Sequence, residues 1–154
     1  MTRVNFYILP DDQPASLQHY ACKLAEQDWQ SGNRVLIQTD TSEDSKLLDD
    51  LLWNIRADSF IPHGIATLEP VDQQHPILIS HQKLKNNDFK LLINLSSRPV
   101  EITPDNAEAA SAEKMIAELL NQDEQRIVSG RQHYKVYREL GYSLQHHKLE
   151  TING

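Results

Sequence analysis

The sequence predicts an α/β domain of three layers around a mostly parallel sheet. Three observations predict it. Strand-like and helix-like segments alternate from the start of the chain, the order of a βαβ unit. Residues 34–38 (RVLIQ) and 91–95 (LLINL) are short continuous apolar runs, the pattern of strands buried on both faces. The length, 154 residues with 39% apolar and 24% charged, suits one globular domain and excludes wholesale disorder.

Each element has a local reason. Residues 4–9 (VNFYIL) are rich in β-formers and stop at Pro10-Asp11-Asp12, a strand and its turn. Ser16 is the expected cap of a helix running to about residue 31. Leu17, Tyr20, Ala21, Leu24 and Ala25 form its apolar stripe, and Gly32 stops it. Residues 34–38 follow as a buried strand. Thr41 or Ser42 caps a second helix to about Ile55, with Glu43 and Asp44 in the first turn, favourable to the helix dipole. Leu48, Leu51, Leu52 and Ile55 are its core stripe. Residues 58–76, with Pro62, Pro70 and Pro76, are expected to be a long loop. Residues 77–80 and 91–95 are further strands, and 99–106 a linker. Residues 107–120 favour helix on propensity, although MIAELL could end the segment as a strand. The last helix spans 123–140, with Gly141 ending it. The expectation is a single domain over 1–149 and a frayed tail over 150–154.

Several chemistries are excluded by what is missing. The first strand–helix connection, ILPDDQPAS, has no glycine to let a pyrophosphate approach and two aspartates that would repel it. No GxxxxGK[ST] occurs. A Rossmann-like topology without a nucleotide site is therefore expected. The seven histidines include no HExxH frame and no trusted pairing with carboxylates, so no metal is expected. The single cysteine, Cys22, rules out an internal disulfide and reads as a small residue near the core. No serine has a nucleophile-elbow context. No catalytic residue and no cofactor are expected. No apolar run approaches the ~18 residues that span a bilayer, and MTRVNFYILPDDQ is not a signal peptide, so a cytoplasmic protein with no membrane partner is expected.

The informative residues are those out of place. On a helical wheel Trp53 falls well off the second helix's core stripe, and Phe60 lies in a segment, SFIPH, that should face water. Either the chain's own loop covers them or a partner does, since tryptophan is enriched at interface hot spots. The net charge of −7 argues against a general DNA clamp. Yet 123–148 carries five cations (Arg126, Arg131, Lys135, Arg138, Lys148) against three acids (Asp123, Glu124, Glu139). Arg131, Lys135 and Arg138 share one face of the last helix with Tyr134 and Ile127. Gly130, His133, Val136, Tyr137 and Leu140 make the side expected to be buried. A solvated charged face is the ordinary reading of such a run. Against it, Glu139 is the only acid after Glu124 within that stretch, and three close cations repel one another unless an anion sits among them. Arginine's planar fork suits a carboxylate, with Tyr134 and Ile127 as an apolar wall beside it.

These stretches together resemble the chi subunit of bacterial DNA polymerase III holoenzyme. The matching segments are FYIL, SGNRVLI, LDDLLW followed by SFIPH, LLINLS and DEQRIVSGRQHYKVYRELGYSLQHHKL, spread from Phe6 to Leu149. The resemblance implies a non-enzymatic accessory subunit of the clamp-loader assembly. Such a subunit pairs with the psi subunit and binds the acidic, phenylalanine-terminated C-terminal tail of single-stranded-DNA-binding protein. It implies no sequence-specific nucleic-acid partner. The family's tail-binding cluster falls on Arg131, Tyr134 and Lys135, with Arg138 and Gly141 in the same stretch. A further cation of that pocket falls on Ile127, with Arg126 beside it able to substitute. The psi-facing aromatic pair falls on Trp53 and Phe60. Residues 99–120 match poorly, so the pocket's apolar wall has no assigned residues. Two rivals stay open: an α/β enzyme acting on a phosphorylated or carboxylate small molecule, and a direct single-stranded-DNA binder, which would show a steep salt slope.

Overall fold

The computed structural model describes residues 2–55, 61–66, 75–82, 88–102 and 113–149. Their elements run β1 (Thr2–Ile8), α1 (Pro14–Gln30), β2 (Val35–Gln38), α2 (Ser42–Asn54), β3 (His63–Ile65), β4 (Ile77–Ser80), β5 (Leu91–Asn94), β6 (Lys114–Leu120), α3 (Glu124–Glu139) and β7 (Ser143–Lys148). The strands form one seven-stranded sheet in the order β3-β4-β2-β5-β6-β1-β7, and every pairing is parallel.

Parallel strands need crossovers, and the crossover helices cover both faces of the sheet. On one face α1 buries Leu17, Ala21, Cys22 and Ala25, and α2 buries Leu48 and Leu52, against Val35, Ile37, Ile77, Ile79, Leu91, Ile93, Ala117 and Leu119. On the other, Val4, Phe6, Leu36, Leu78, Leu92 and Ile116 pack with Tyr137 of α3. Alternate residues of one strand thus serve opposite cores. That is why RVLIQ and LLINL read as unbroken apolar runs.

The three-layer α/β class is as expected, and the sheet is parallel throughout its described pairings. β1 and β2 are not neighbours, however, because β5 and β6 lie between them. α1 begins at Pro14, not behind Ser16. Gln13 occupies the cap position without a side-chain bond, and the buried Ser16 donates to Asp11 at 2.5 Å. Thr41 does cap α2, accepting from the Asp44 N–H at 3.1 Å. The expected loop 58–76 contains β3, which pairs with β4. Residues 114–120 form β6, the strand alternative for MIAELL and not the helix that propensity favours. Its helix-forming residues are overridden by pairing with both β1 and β5 and by burial on both faces. The earlier part of that expected helix, 107–112, lies outside the described residues, as do 103–106 of the expected linker and the tail 150–154. After Gly141 the chain makes one more strand, β7, beside β1 at the sheet's edge.

Candidate functional site

α3 is held at both ends and in the middle. Asp123 caps it by accepting from the Arg126 N–H at 3.1 Å. Gly141, at φ +80°, turns the chain out of it, a conformation that favours glycine. Between them lies a buried polar anchor. Glu118 of β6 is fully buried and accepts from Asn94 Nδ2 at 2.8 Å, from His133 Nδ1 at 3.1 Å and from the Tyr137 hydroxyl. The Tyr137 oxygen accepts the Val100 N–H at 2.7 Å. His133 Nε2 faces the Ser97 carbonyl at 3.0 Å. Both imidazole nitrogens meet acceptors, so only the protonated ring satisfies both. Burial opposes that charge, but the hydrogen bonds and negative charge of Glu118 outweigh it and raise the His133 pKa. Burial, and then Glu118, push the Tyr137 hydroxyl strongly upward.

Beside this anchor the helix, β1 and β7 enclose a groove of about 540 Å³. Its floor is set by strand register. Leu120, Ile8 and Lys148 form one row across β6, β1 and β7, and Phe6 and His146 share the row of Glu118. The His146 ring stacks on Phe6 at 5.0 Å and leans on Tyr134 at 5.4 Å. Its α3 wall presents Ile127, Gly130, Arg131, Tyr134, Lys135 and Arg138. Gly130 permits the close approach, because a Cβ there would lie 2.6 Å from the Leu120 Cδ1. The Arg138 guanidinium lies 5.9 Å from the Tyr134 ring centre.

The groove's charge is one-sided. Its lining includes Arg131, Lys135, Arg138 and Lys148 and no aspartate or glutamate. Among the described residues, none of these four cations has a carboxylate within 4.0 Å. In a chain of net charge −7, such a patch attracts anions. A smaller hollow, of about 220 Å³ at the carboxyl ends of the strands, has the opposite character. Asp12, Asp44 and Asp123 line it together with Arg126.

Five of the six residues expected at the basic site line the groove: Ile127, Arg131, Tyr134, Lys135 and Arg138. Gly141 is in the turn between α3 and β7, outside the lining. Arg126 does not substitute for Ile127. Its guanidinium turns to the carboxyl ends of β5 and β6, donating to the carbonyls of Leu95 at 3.0 Å and Ser96 at 3.1 Å and also meeting those of Asn94 and Leu119. Val136 and Leu140, expected on the buried side, are exposed, because α3 turns only Gly130, His133 and Tyr137 fully inward. Sequence reasoning missed Phe6, Ile8, His146 and Lys148, which join the groove only through the pairing of β1 with β7.

On the opposite layer Trp53 is 54% exposed on α2, and Leu47 of the same helix is 49% exposed. His63 of β3 meets the tryptophan edge-on at 5.0 Å and pairs with Asp49 at 3.1 Å. The chain's own segment therefore touches Trp53 and leaves half of it open. Phe60 lies outside the described residues.

The architecture defines the class first: an α/β domain with a parallel sheet, helices on both faces, and a cationic groove beside its last helix. Solved structures share that fold. The C-terminal domain of Dbp5 from S. cerevisiae superposes with a TM-score of 0.63 at 11% identity, covering 97% of this chain and 93% of that one. Domain 2 of the DEAD-box helicase Mss116p gives 0.60 at 10% identity, covering 94% and 64%. The sequence profile of the family described as DNA polymerase III chi subunit, HolC, matches residues 1–145, and this chain belongs to that family. The DNA polymerase III subunit chi of Pseudomonas aeruginosa is 32% identical over 99% of this chain and 100% of its own length. Its Escherichia coli counterpart is 27% identical over 94% and 96%.

Proposed function

We propose that this chain is a non-catalytic bridge in the clamp-loader assembly of DNA polymerase III. The groove beside α3 holds the acidic C-terminal tail of single-stranded-DNA-binding protein, and the α2 surface around Trp53, with Phe60, holds the psi subunit. The observation that carries the reading is the lining of the groove, four cations and no acid around an apolar floor. In the complex, Arg131 takes the tail's terminal carboxylate through its planar fork and Lys135 adds charge. The terminal aromatic ring lies against Tyr134 and the floor of Phe6, Ile8 and Leu120. Isolated exposed ion pairs contribute only ~0–1 kcal/mol each. Together with burial of an aromatic ring they reach about −8 kcal/mol, a micromolar complex. Such a contact breaks readily, as a moving replication machine requires, and weakens with salt.

The test is calorimetric titration with an acidic peptide ending in phenylalanine, against the same peptide lacking that residue. The full peptide should bind in the micromolar range and the truncated one about tenfold or more weaker. Equal affinities would remove the tail-docking reading. Detectable binding of nucleotides or phosphate esters at that groove would favour an enzyme instead.

A further inference from the structure

We infer that β7 supplies a second, cationic wall to the groove, and that Lys148 selects tails carrying an acidic residue upstream of the terminal one. This rests on the acidic-tail reading above and adds a specificity residue to it.

The two ends of the groove differ. Around the row of Phe6 and His146, α3 contributes Tyr134, whose ring leans on His146 at 5.4 Å and lies 5.8 Å from Phe6. Lys135 and Arg138 follow on the same helix face. One row further along, Leu120, Ile8 and Lys148 are paired across three strands. α3 covers that row with Gly130, packed on Leu120, and lines the same groove with Ile127. Neither residue carries charge. Arg126, adjacent to Ile127, is committed to the carbonyls of Leu95 and Ser96 and does not line the groove. Lys148 is thus the sheet's cation in the groove, set on the opposite wall from Arg131, Lys135 and Arg138. It is exposed and has no carboxylate within 4.0 Å among the described residues.

Cations on both walls suit an extended acidic peptide better than a single small anion. One carboxylate satisfies Arg131, whereas Lys148, reaching from the other side and without a carboxylate partner among the described residues, is engaged by a ligand only if that ligand carries a second negative charge. A lysine is a flexible point charge, so it selects for charge and not for the planar shape of the group. β7 is an edge strand, and lysine on an edge strand also discourages pairing with another chain. That role alone would leave peptide affinity unchanged when Lys148 is removed.

The experiment is a two-by-two titration on the full chain. The peptides are an acidic one ending in phenylalanine and a version with its upstream Asp residues changed to Asn, the terminus unaltered. The proteins are the parent and Lys148→Gln, with Lys90→Gln, an exposed cation outside the groove, as control. Lys148→Gln should weaken the acidic peptide about three- to fivefold, leave the neutralised peptide unchanged, and lower the salt dependence. Lys90→Gln should change neither. Equal effects of Lys148→Gln on both peptides, or none on either, would overturn the second wall while leaving the tail site standing. Failure of the parent to bind either peptide would remove the tail reading itself, and the second wall with it.

Discussion

Replacing Glu118 by glutamine strikes the scaffold beneath the groove. The carboxylate has no exposed surface and accepts from three donors, those of Asn94, His133 and Tyr137. A carboxamide keeps the volume, removes the charge, and turns one acceptor atom into a donor facing donors. Neutralising one partner of a buried pair costs about 3–5 kcal/mol. His133 can limit the loss by giving up its proton, which is inexpensive near neutrality because a free imidazole titrates near ~6.5. The expected cost is therefore about 3 kcal/mol, the lower end of that range. For a domain of this length that lowers Tm by about 6–12 °C. Urea unfolding followed by far-ultraviolet circular dichroism measures it, with the slope m unchanged if the native and denatured states keep their compactness. His133→Gln and the double variant complete a cycle, with a coupling of about 1–3 kcal/mol between the two positions. A Glu118→Gln protein within about 0.5 kcal/mol of the parent, the range of ordinary surface substitutions, would refute the anchor.

Three further outcomes follow from the same geometry. Because the His133 pKa is raised in the folded chain, its contribution to stability is complete below the unfolded value of ~6.5 and is lost as pH rises through the folded one. His133→Gln should flatten that part of the stability–pH curve, and an unchanged slope would mean that His133 is not its source. Trp53→Ala should abolish psi binding while leaving tail-peptide affinity within about twofold, since the ring is half exposed on the other layer; co-purification with psi and peptide titration read the two sites separately, and loss of both would contradict two surfaces. Cys22 is fully buried and its thiol is pushed up to about 12 by that burial, so a thiol-specific reagent should label it at the rate of unfolding and not faster.

How much of this was legible in the sequence differs by element. α1 and α2 carry complete apolar stripes, and the central strands are apolar on both faces, so their patterns survive without tertiary context. β6 misleads because Lys114–Leu120 contains good helix formers, and only its two strand neighbours decide the matter. β7 escaped notice because Ser143–Lys148 is a polar edge strand with little to bury. Its period-two signal was Tyr142 and Leu144 in step with His146, and it was weak. The cationic face of α3 was readable from helical spacing, as was the exposure of Trp53. The far wall was not, since nothing local links Lys148 to Ile8, 140 positions earlier. The same holds for Glu118, whose partners sit on α3 and β5. Arg126 shows the converse error: adjacency in sequence suggested a groove cation, but the side chain turns to backbone carbonyls at the strand ends.

The central claim is that an acidic peptide terminus docks between α3 and β7. Its most direct test is to follow the amide signals of the isotopically labelled chain while titrating an acidic peptide ending in phenylalanine. The predicted shifts fall on Arg131, Tyr134, Lys135, His146 and Lys148, with the Trp53 indole signal still, and Arg131→Ala weakens the titration about tenfold or more. Shifts confined to α2 or to the aspartate-lined hollow, with the α3 and β7 signals unmoved, would contradict it.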